Sequence, residues 1–371
     1  MKAISLKPGT KDVRIVTIEK PEITASDEIK MKVLQVGICG TDREVASGGR
    51  ADAPLFHSRL IIGHEMLGQV LQIGENVTRA KKGDLGVFTV RRGCGKCEAC
   101  KNNRSDMCYT GDYTERGIKE ADGYQCEFVV DKEQYFVRVP TELQEIAVLT
   151  EPMSVASKGI EEALLLQRSR ILDFEKGKNW IEGKKALVAG VGAVGLLAAF
   201  ALRLRGAEVY GLDIVDEQSK RPKMLSEIGG KYIDGRKVKT LNIDDEIGEF
   251  DFIFEAAGFA ELQVELIDVL GVNGIYVSTG IPSGNKPLTI NGSDLMRQLV
   301  LKNQLILGSV NASMEHFKTA VADLEAAQKK WPETLKKMIT EKYAYTDFEK
   351  ALGKQSADEI KVVVKWAEIT T

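Results

Sequence analysis

Apolar and polar positions follow two rhythms along this chain of 371 residues. In the first half, IKMKVLQVGI (29–38) alternates with a period near two, which predicts a strand that ends in a turn at Gly37 and Gly40. IIGHEMLGQVLQIG (61–74) places His64 and Glu65 between an apolar run and a second strand-like run. In the second half the apolar runs become short and solid: ALVAG, EVYGLD, FDFIFEAAG (250–258), GIYVSTG (274–280) and LILGSVN (305–311). Helical stretches alternate with them, as a parallel doubly wound sheet requires. After Asn311 the period becomes that of an amphipathic helix, HFKTAVADLEAAQKKW, followed by a strand-like IKVVVKW. The interval QRSRILDFEKGKNWIEGKK (167–185) reads as a loop between the halves.

Composition narrows the class. Hydrophobic residues make up 43% and charged residues 28%, so a soluble fold with a core of ordinary size is expected. Net charge is −3, which offers nucleic acid and anionic membranes no long-range attraction. No apolar run reaches the ~18 residues of a membrane span. The start, MKAISLKPGTKDVRIV, turns polar at once, so a cytoplasmic protein is expected.

A reducing compartment disfavours disulfides, and that changes the reading of the cysteines. Four of the six fall in GCGKCEACKNNRSDMC with the spacing C-x2-C-x2-C-x7-C, at Cys94, Cys97, Cys100 and Cys108. Gly93 and Gly95 let the backbone turn so that the thiolates converge. Four thiolates make a closed, structural zinc site. A bacterial ferredoxin run has a last gap of three followed by proline. Here the gap is seven and Tyr109 follows, so an iron–sulfur cluster fits poorly.

A second donor set is scattered. Cys39 lies in VGICGTDREVASGG, His64 and Glu65 follow, and Glu151 lies in LTEPMSVASKGIEEA, where Pro152 suits a first helical turn. Cysteine, histidine and carboxylate are the ligand types of a catalytic zinc with one position open. Each of them alone is a weak signal, since a lone buried cysteine or histidine is more often core than ligand.

Gly190, Gly192 and Gly195 form G-x-G-x-x-G around Ala193 and Val194, between one predicted strand and a helix that ends on Gly206. Asp213 closes the next strand. This is the context in which the motif binds a dinucleotide: a tight turn, a close approach to the pyrophosphate, a helix N-terminus behind it, and an acid for the ribose.

C-G-T-D at 39–42, G-H-E at 63–65, the four-cysteine loop, E-P at 151–152 and the nucleotide fingerprint occur in one order. Together they resemble the zinc-dependent medium-chain alcohol dehydrogenases over nearly the whole chain. R-R-G-C-G at 91–95, G-S-V-N at 308–311 and E-I-K-V-V-V-K-W at 359–366 resemble the archaeal-type glucose dehydrogenase branch. The resemblance implies an α/β protein with a GroES-like β-barrel catalytic domain (1–155 and 312–371) and an inserted Rossmann domain (156–311). It implies catalytic zinc on Cys39, His64 and Glu151, with Glu65 ligating or beside it, and structural zinc on the four clustered cysteines. Thr41 would contact the reacting hydroxyl and relay its proton. Glu115, Asn311 and Glu151 would face the sugar. Gly190, Gly192, Ala193, Val194, Gly195, Asp213, Ala257, Thr279 and Asn311 would face the cofactor.

The implied reaction is hydride transfer from the anomeric hydroxyl of an aldose to NAD(P), giving a lactone, with two zinc ions per chain. A polyol or amino-alcohol dehydrogenase would use the same zinc site, and a zinc-stapled nucleotide-binding protein would need only the cysteine cluster and the fingerprint. Val90 and Val155 stand where some sugar dehydrogenases carry Asn and Asp, which leaves the sugar open. Asp213 favours NAD by repelling a 2′-phosphate, while Lys220, Arg221 and Lys223 in SKRPK leave NADP possible. LVLKNQLILGSV (299–310) fits a sheet edge that pairs across a two-fold, as in the dimers of the family it resembles, and equally a strand buried within the chain; a homodimer or homotetramer is expected. The partner expected beyond that is a small molecule.

Overall fold

The strand Glu28–Ile38 is the axis of the first half, because its side chains are buried on both faces over most of its length. In the computed structural model, which describes residues 1–171, 179–284, 287–353 and 355–369, it is central in a seven-stranded sheet. On one side it pairs antiparallel with Glu65–Ile73, and on the other with Lys361–Lys365. The register matters for function. Gly37 lies opposite Glu65, and Ile38 lies opposite Val362, so three strands bring Cys39, Glu65 and Lys361 to one end of the sheet. A smaller sheet, Val13–Thr17 with Lys2–Leu6 and Leu60–Ile61, and a three-stranded one built on Thr114–Arg116 complete the strands of this unit.

Its core gathers Met31, Val33, Val36, Phe88, Tyr124, Phe136 and Trp366. Each such buried side chain contributes roughly 1.5–3 kcal/mol by leaving water. A polar cluster sits beside this core. Asp131, buried, is 2.6 Å from Arg92 and also pairs with Arg116, and Arg92 lies over the Tyr135 ring. Burial alone would raise the Asp131 carboxyl, but the charges of Arg92 and Arg116 win and hold it at about 2.

The second half forms one six-stranded parallel sheet in the order Lys231–Asp234, Glu208–Asp213, Lys185–Ala189, Phe250–Glu255, Leu270–Ser278, Leu305–Gly308. Counted along the chain this is 3-2-1-4-5-6, the dinucleotide-binding order, in which the strand sequence reverses beside Lys185–Ala189. Leu187, Tyr210, Phe250, Ile253, Leu266 and Tyr276 are among its core residues.

Contacts divide the chain into Met1–Ser154 with Asn311–Glu325 and Leu335–Thr371, and Val155–Val310 with Ala326–Thr334. The second division takes in Ala326–Thr334, which the expected boundaries gave to the first domain. Trp331 stacks edge-on against Phe200, and the Thr334 hydroxyl donates to Glu227, so these residues belong where they pack. The expected loop at 167–185 is also corrected in part. Gln167–Arg170 end the helix Thr150–Arg170, where Arg168 and Arg170 suit its C-terminal dipole, while 172–178 lie outside the described residues.

Candidate active site and metal centres

Local geometry converges the four cysteines. Gly95 turns with φ 69°, Cys97 caps the short helix Glu98–Lys101, and a 3-10 turn, Ser105–Met107, returns the chain to Cys108. At Gly93 any Cβ would stand 2.4 Å from the Cys100 sulfur, so only glycine leaves the sulfur its place. The four sulfurs all lie within 4.8 Å of one another. Cys94 and Cys100 are 3.9 Å apart, and Cys97 and Cys108 are 4.0 Å apart. Sulfurs at ~2.3 Å from one tetrahedral zinc would be about 3.8 Å apart, so the set fits zinc. The Thr110 hydroxyl and the backbone N–H groups of Cys97 and Lys96 bring Cys94 down to about 6, whereas burial pushes Cys100 up to about 12.

The second set is Cys39, His64 and Glu65, whose donor atoms also lie within 4.8 Å of one another. Cys39 caps the helix Gly40–Ala46. Its sulfur accepts from the Thr41 N–H at 3.2 Å, and its own N–H donates to Asp42 at 2.9 Å. His64 Nε2 is 3.1 Å from that sulfur. On the far side of the ring, Nδ1 lies 3.7 Å from Asp42 Oδ1, and neither buried atom has a hydrogen-bond partner. A carboxylate there selects the tautomer with a lone pair on Nε2, facing the sulfur. Glu65 has space because its neighbour is Gly37, where a Cβ would stand 2.0 Å from the carboxylate. This donor chemistry fits zinc with a position left open.

Glu151 stands outside this compact set, in the first turn of Thr150–Arg170. Burial pushes its carboxyl up to about 7, with Glu65 and Asp42 adding to the rise and His64 and Lys361 opposing it. Thr41 is the second residue of the helix that Cys39 caps.

Glu115 is fixed from two directions. Arg91 donates to its Oε1 at 3.0 and 2.9 Å, and Asn311 donates to the same oxygen at 2.6 Å. Asn311 reaches it from a left-handed backbone position, φ 63°. Arg91 is itself buried, stacks over Tyr113 and donates to the Asp106 carbonyl inside the cysteine lobe.

In the second unit the three fingerprint glycines have three separate reasons. Gly190 turns with φ 86°, and a Cβ there would meet the Ala257 nitrogen at 2.8 Å. Gly192 caps the helix Ala193–Leu204 with open space around it, which is the cradle a pyrophosphate needs. At Gly195 a Cβ would strike the Gly190 carbonyl at 1.8 Å. Asp213 accepts from the N–H groups of Val191 at 2.9 Å and Ile214 at 2.7 Å, and Arg221 lies 3.9 Å away. The Thr279 hydroxyl is committed to the Glu255 carbonyl at 2.7 Å.

With this geometry in hand, the family comparison is decisive. A profile described as glucose dehydrogenase C-terminus matches residues 144–366, and one described as alcohol dehydrogenase GroES-like domain matches 25–141. The chain belongs to the glucose dehydrogenase branch of the zinc-dependent medium-chain alcohol dehydrogenases. It is 34% identical to the glucose 1-dehydrogenase of Methanocella arvoryzae, over 98% of this chain and 99% of the relative. Identity to that of Thermoproteus tenax is 35%, again over 98% and 99%. The Haloferax mediterranei glucose dehydrogenase, solved in complex with NADP, zinc and gluconolactone, superposes with a TM-score of 0.89 at 32% identity and full coverage of both chains. Membership makes this chain a zinc-dependent dehydrogenase acting on CH–OH groups, with the GroES-like and Rossmann domains the ordered motifs implied.

Sequence reasoning missed four side chains that shape these sites. Asp42 sits inside the C-G-T-D motif and carries the signal in its position. Lys361 sits in a run of valines, where a lysine that alternates inward is the only clue. Arg91 belongs to R-R-G-C-G, and Glu255 ends a solid apolar strand.

Proposed function

We propose that this chain oxidises the anomeric hydroxyl of a glucose-like aldose to the lactone. Hydride passes to an oxidised nicotinamide cofactor, and one proton is released. The observation that carries the aldose reading is Glu115, whose Oε1 is occupied by Arg91 and Asn311 while Oε2 accepts from no described residue. A carboxylate held this way presents one oxygen to a sugar hydroxyl. The gluconolactone bound by the Haloferax relative supports the same substrate class.

Cys39, His64 and Glu65 would hold the catalytic zinc, with Glu151 exchanging into its shell, and Cys94, Cys97, Cys100 and Cys108 the structural one. Bound zinc supplies Lewis-acid polarisation of the substrate hydroxyl. Asp42 sets the His64 tautomer, Lys361 holds Glu65, and the Thr41 hydroxyl passes the proton outward. Gly190 to Gly195 receive the pyrophosphate, with Ala193 and Val194 offering helix N-terminal N–H groups, and Ala257 and Thr279 follow on the nicotinamide side. Two backbone N–H groups keep the Asp213 charge in place, which supports NAD as the preferred cofactor. Arg221, mostly buried beside it, supports acceptance of NADP. We also read the catalytic domain as 1–155 with 312–371, apart from the segment noted above, and the protein as a cytoplasmic homodimer or homotetramer. No described helix is long and apolar enough to cross a membrane.

A panel of aldoses, polyols and simple alcohols, assayed with NAD and NADP and with product analysis, tests the reading. Glucose or a close aldose should give the highest kcat/KM and a lactone. A polyol exceeding every aldose would move the assignment to the polyol dehydrogenases.

A further inference from the structure

Glu255 ends the fourth strand of the parallel sheet, Phe250–Glu255, and is completely buried. Every polar contact of its carboxylate is with a donor. The Gly258 N–H donates to Oε1 at 2.6 Å. Gln263 Nε2 at 2.7 Å, the Gly280 N–H at 3.2 Å and the Ser278 hydroxyl at 3.4 Å donate to Oε2. No lysine or arginine among the described residues pairs with it. Tyr276, itself buried, lies in its field. A buried carboxylate held by dipoles alone is a fixed negative charge that nothing nearby neutralises.

Its position gives the charge a target. The turns it joins, 256–258 and 279–281, touch backbone to backbone: a Cβ at Gly280 would stand 2.3 Å from the Gly258 nitrogen and 2.8 Å from Glu255 Oε1. The fingerprint turn packs on the same place, because a Cβ at Gly190 would meet Ala257. These are the carboxyl ends of strands one, four and five, the half of the crevice opposite Asp213 and the adenosine side. That half receives the nicotinamide. The oxidised ring carries a positive charge that the reduced ring lacks.

We propose that Glu255 is a specificity-determining residue for cofactor redox state: it braces the nicotinamide-side turns, and its charge shifts the relative affinity of the site toward the oxidised cofactor. The inference rests on the reading of this unit as the nicotinamide cofactor domain.

The experiment uses the zinc-loaded full chain and two cofactor forms, NAD+ by calorimetry and NADH by fluorescence titration, with the NADP pair in parallel. Glu255→Gln keeps the shape and removes the charge. It should weaken oxidised cofactor on the order of tenfold more than reduced cofactor, the scale of one screened charge interaction inside a protein. Gln263→Lys leaves Glu255 untouched and sets an ammonium where the amide donates, so it should shift the same ratio the same way. It also decides the matter if Glu255→Gln does not fold. Equal losses for both redox forms would reduce Glu255 to a brace and overturn the proposal, as would an unchanged ratio in both variants. Failure of the unmodified chain to bind either nicotinamide cofactor would instead overturn the reading beneath it.

Discussion

Lys361 Nζ lies 2.7 Å from both carboxylate oxygens of Glu65, and both side chains are 2% exposed. The ammonium also reaches the Ile38 carbonyl at 3.4 Å, one residue before Cys39. Two charges this far from water are stable only as a pair. The pair fixes which way Glu65 faces in a site where the carboxylate sits beside Cys39 and His64.

Breaking the pair from one side should therefore cost far more than removing it. In the zinc-free protein Lys361→Met leaves a buried, unpaired carboxylate and should destabilise the fold by about 3–5 kcal/mol. The double variant Lys361→Met with Glu65→Gln should recover most of that loss. Urea unfolding of the four proteins in the cycle measures it; a double variant no more stable than the single would show that the lysine acts by packing alone.

The two cysteine sites should separate in their phenotypes. Cys97→Ser opens the four-sulfur cluster and should lower thermal stability and remove one of two zinc ions, with turnover at low temperature largely kept. Cys39→Ser should abolish turnover while leaving the melting temperature within a few degrees. Elemental analysis and thermal scans on both variants distinguish them, and one zinc per chain in fully active protein would refute the two-site arrangement.

Thr41→Ala tests the proton path. The Thr41 backbone N–H, which donates to the Cys39 sulfur, survives the substitution, so zinc content and cofactor affinity should stay near normal. Turnover should fall about 100-fold, the lower range for loss of one acid–base group. Unchanged turnover across the pH range would remove Thr41 from the relay.

Acid stability should depend on Asp131. Its folded pKa, about 2, is below the ordinary 3.8, so its contribution is complete above pH ~4 and disappears as pH falls through about 2. The shift corresponds to about 2–3 kcal/mol. Asp131→Asn should unfold more readily at neutral pH, with a stability curve that is flatter than wild type between pH 4 and 2. Denaturation at a series of pH values gives both curves, and parallel curves would count against the assignment.

Cofactor choice should turn on Asp213. NAD should exceed NADP by about tenfold in kcat/KM, the effect of one like-charge contact of upwards of 1 kcal/mol. Asp213→Asn should narrow that gap. Equal or better use of NADP by the unmodified protein would show that Arg221 and its neighbours dominate.

Much of this architecture was readable because its signals are local. The fingerprint glycines, the strand after them and the cysteine spacing are each contained in a few residues, and their geometry follows from backbone sterics. What was hidden is long-range. The ordered motifs imply Glu151 as the carboxylate ligand with Glu65 ligating or beside it, and only the register Gly37 opposite Glu65 groups Glu65 with Cys39 and His64. The partner of Glu65 is 296 residues away, in a valine run that reads simply as strand. The polar string QRSR looked like loop, yet its first residue is fully buried and donates to the Asn273 carbonyl, a contact no periodicity announces.

The pairing of Lys361–Lys365 against Glu28–Ile38 also sets an order of events during synthesis. Lys361 follows Ile38 by 323 residues, and the parallel sheet between them is made of contiguous chain. As the polypeptide leaves the ribosome, the nucleotide unit has all its strands while the sheet beside the metal ligands still has an open edge. Pairing over so long a separation is slow, and the unpaired edge is exposed to aggregation until it closes. Nascent chains stalled before residue 361 should therefore resist proteolysis in the second unit and be cut in the first.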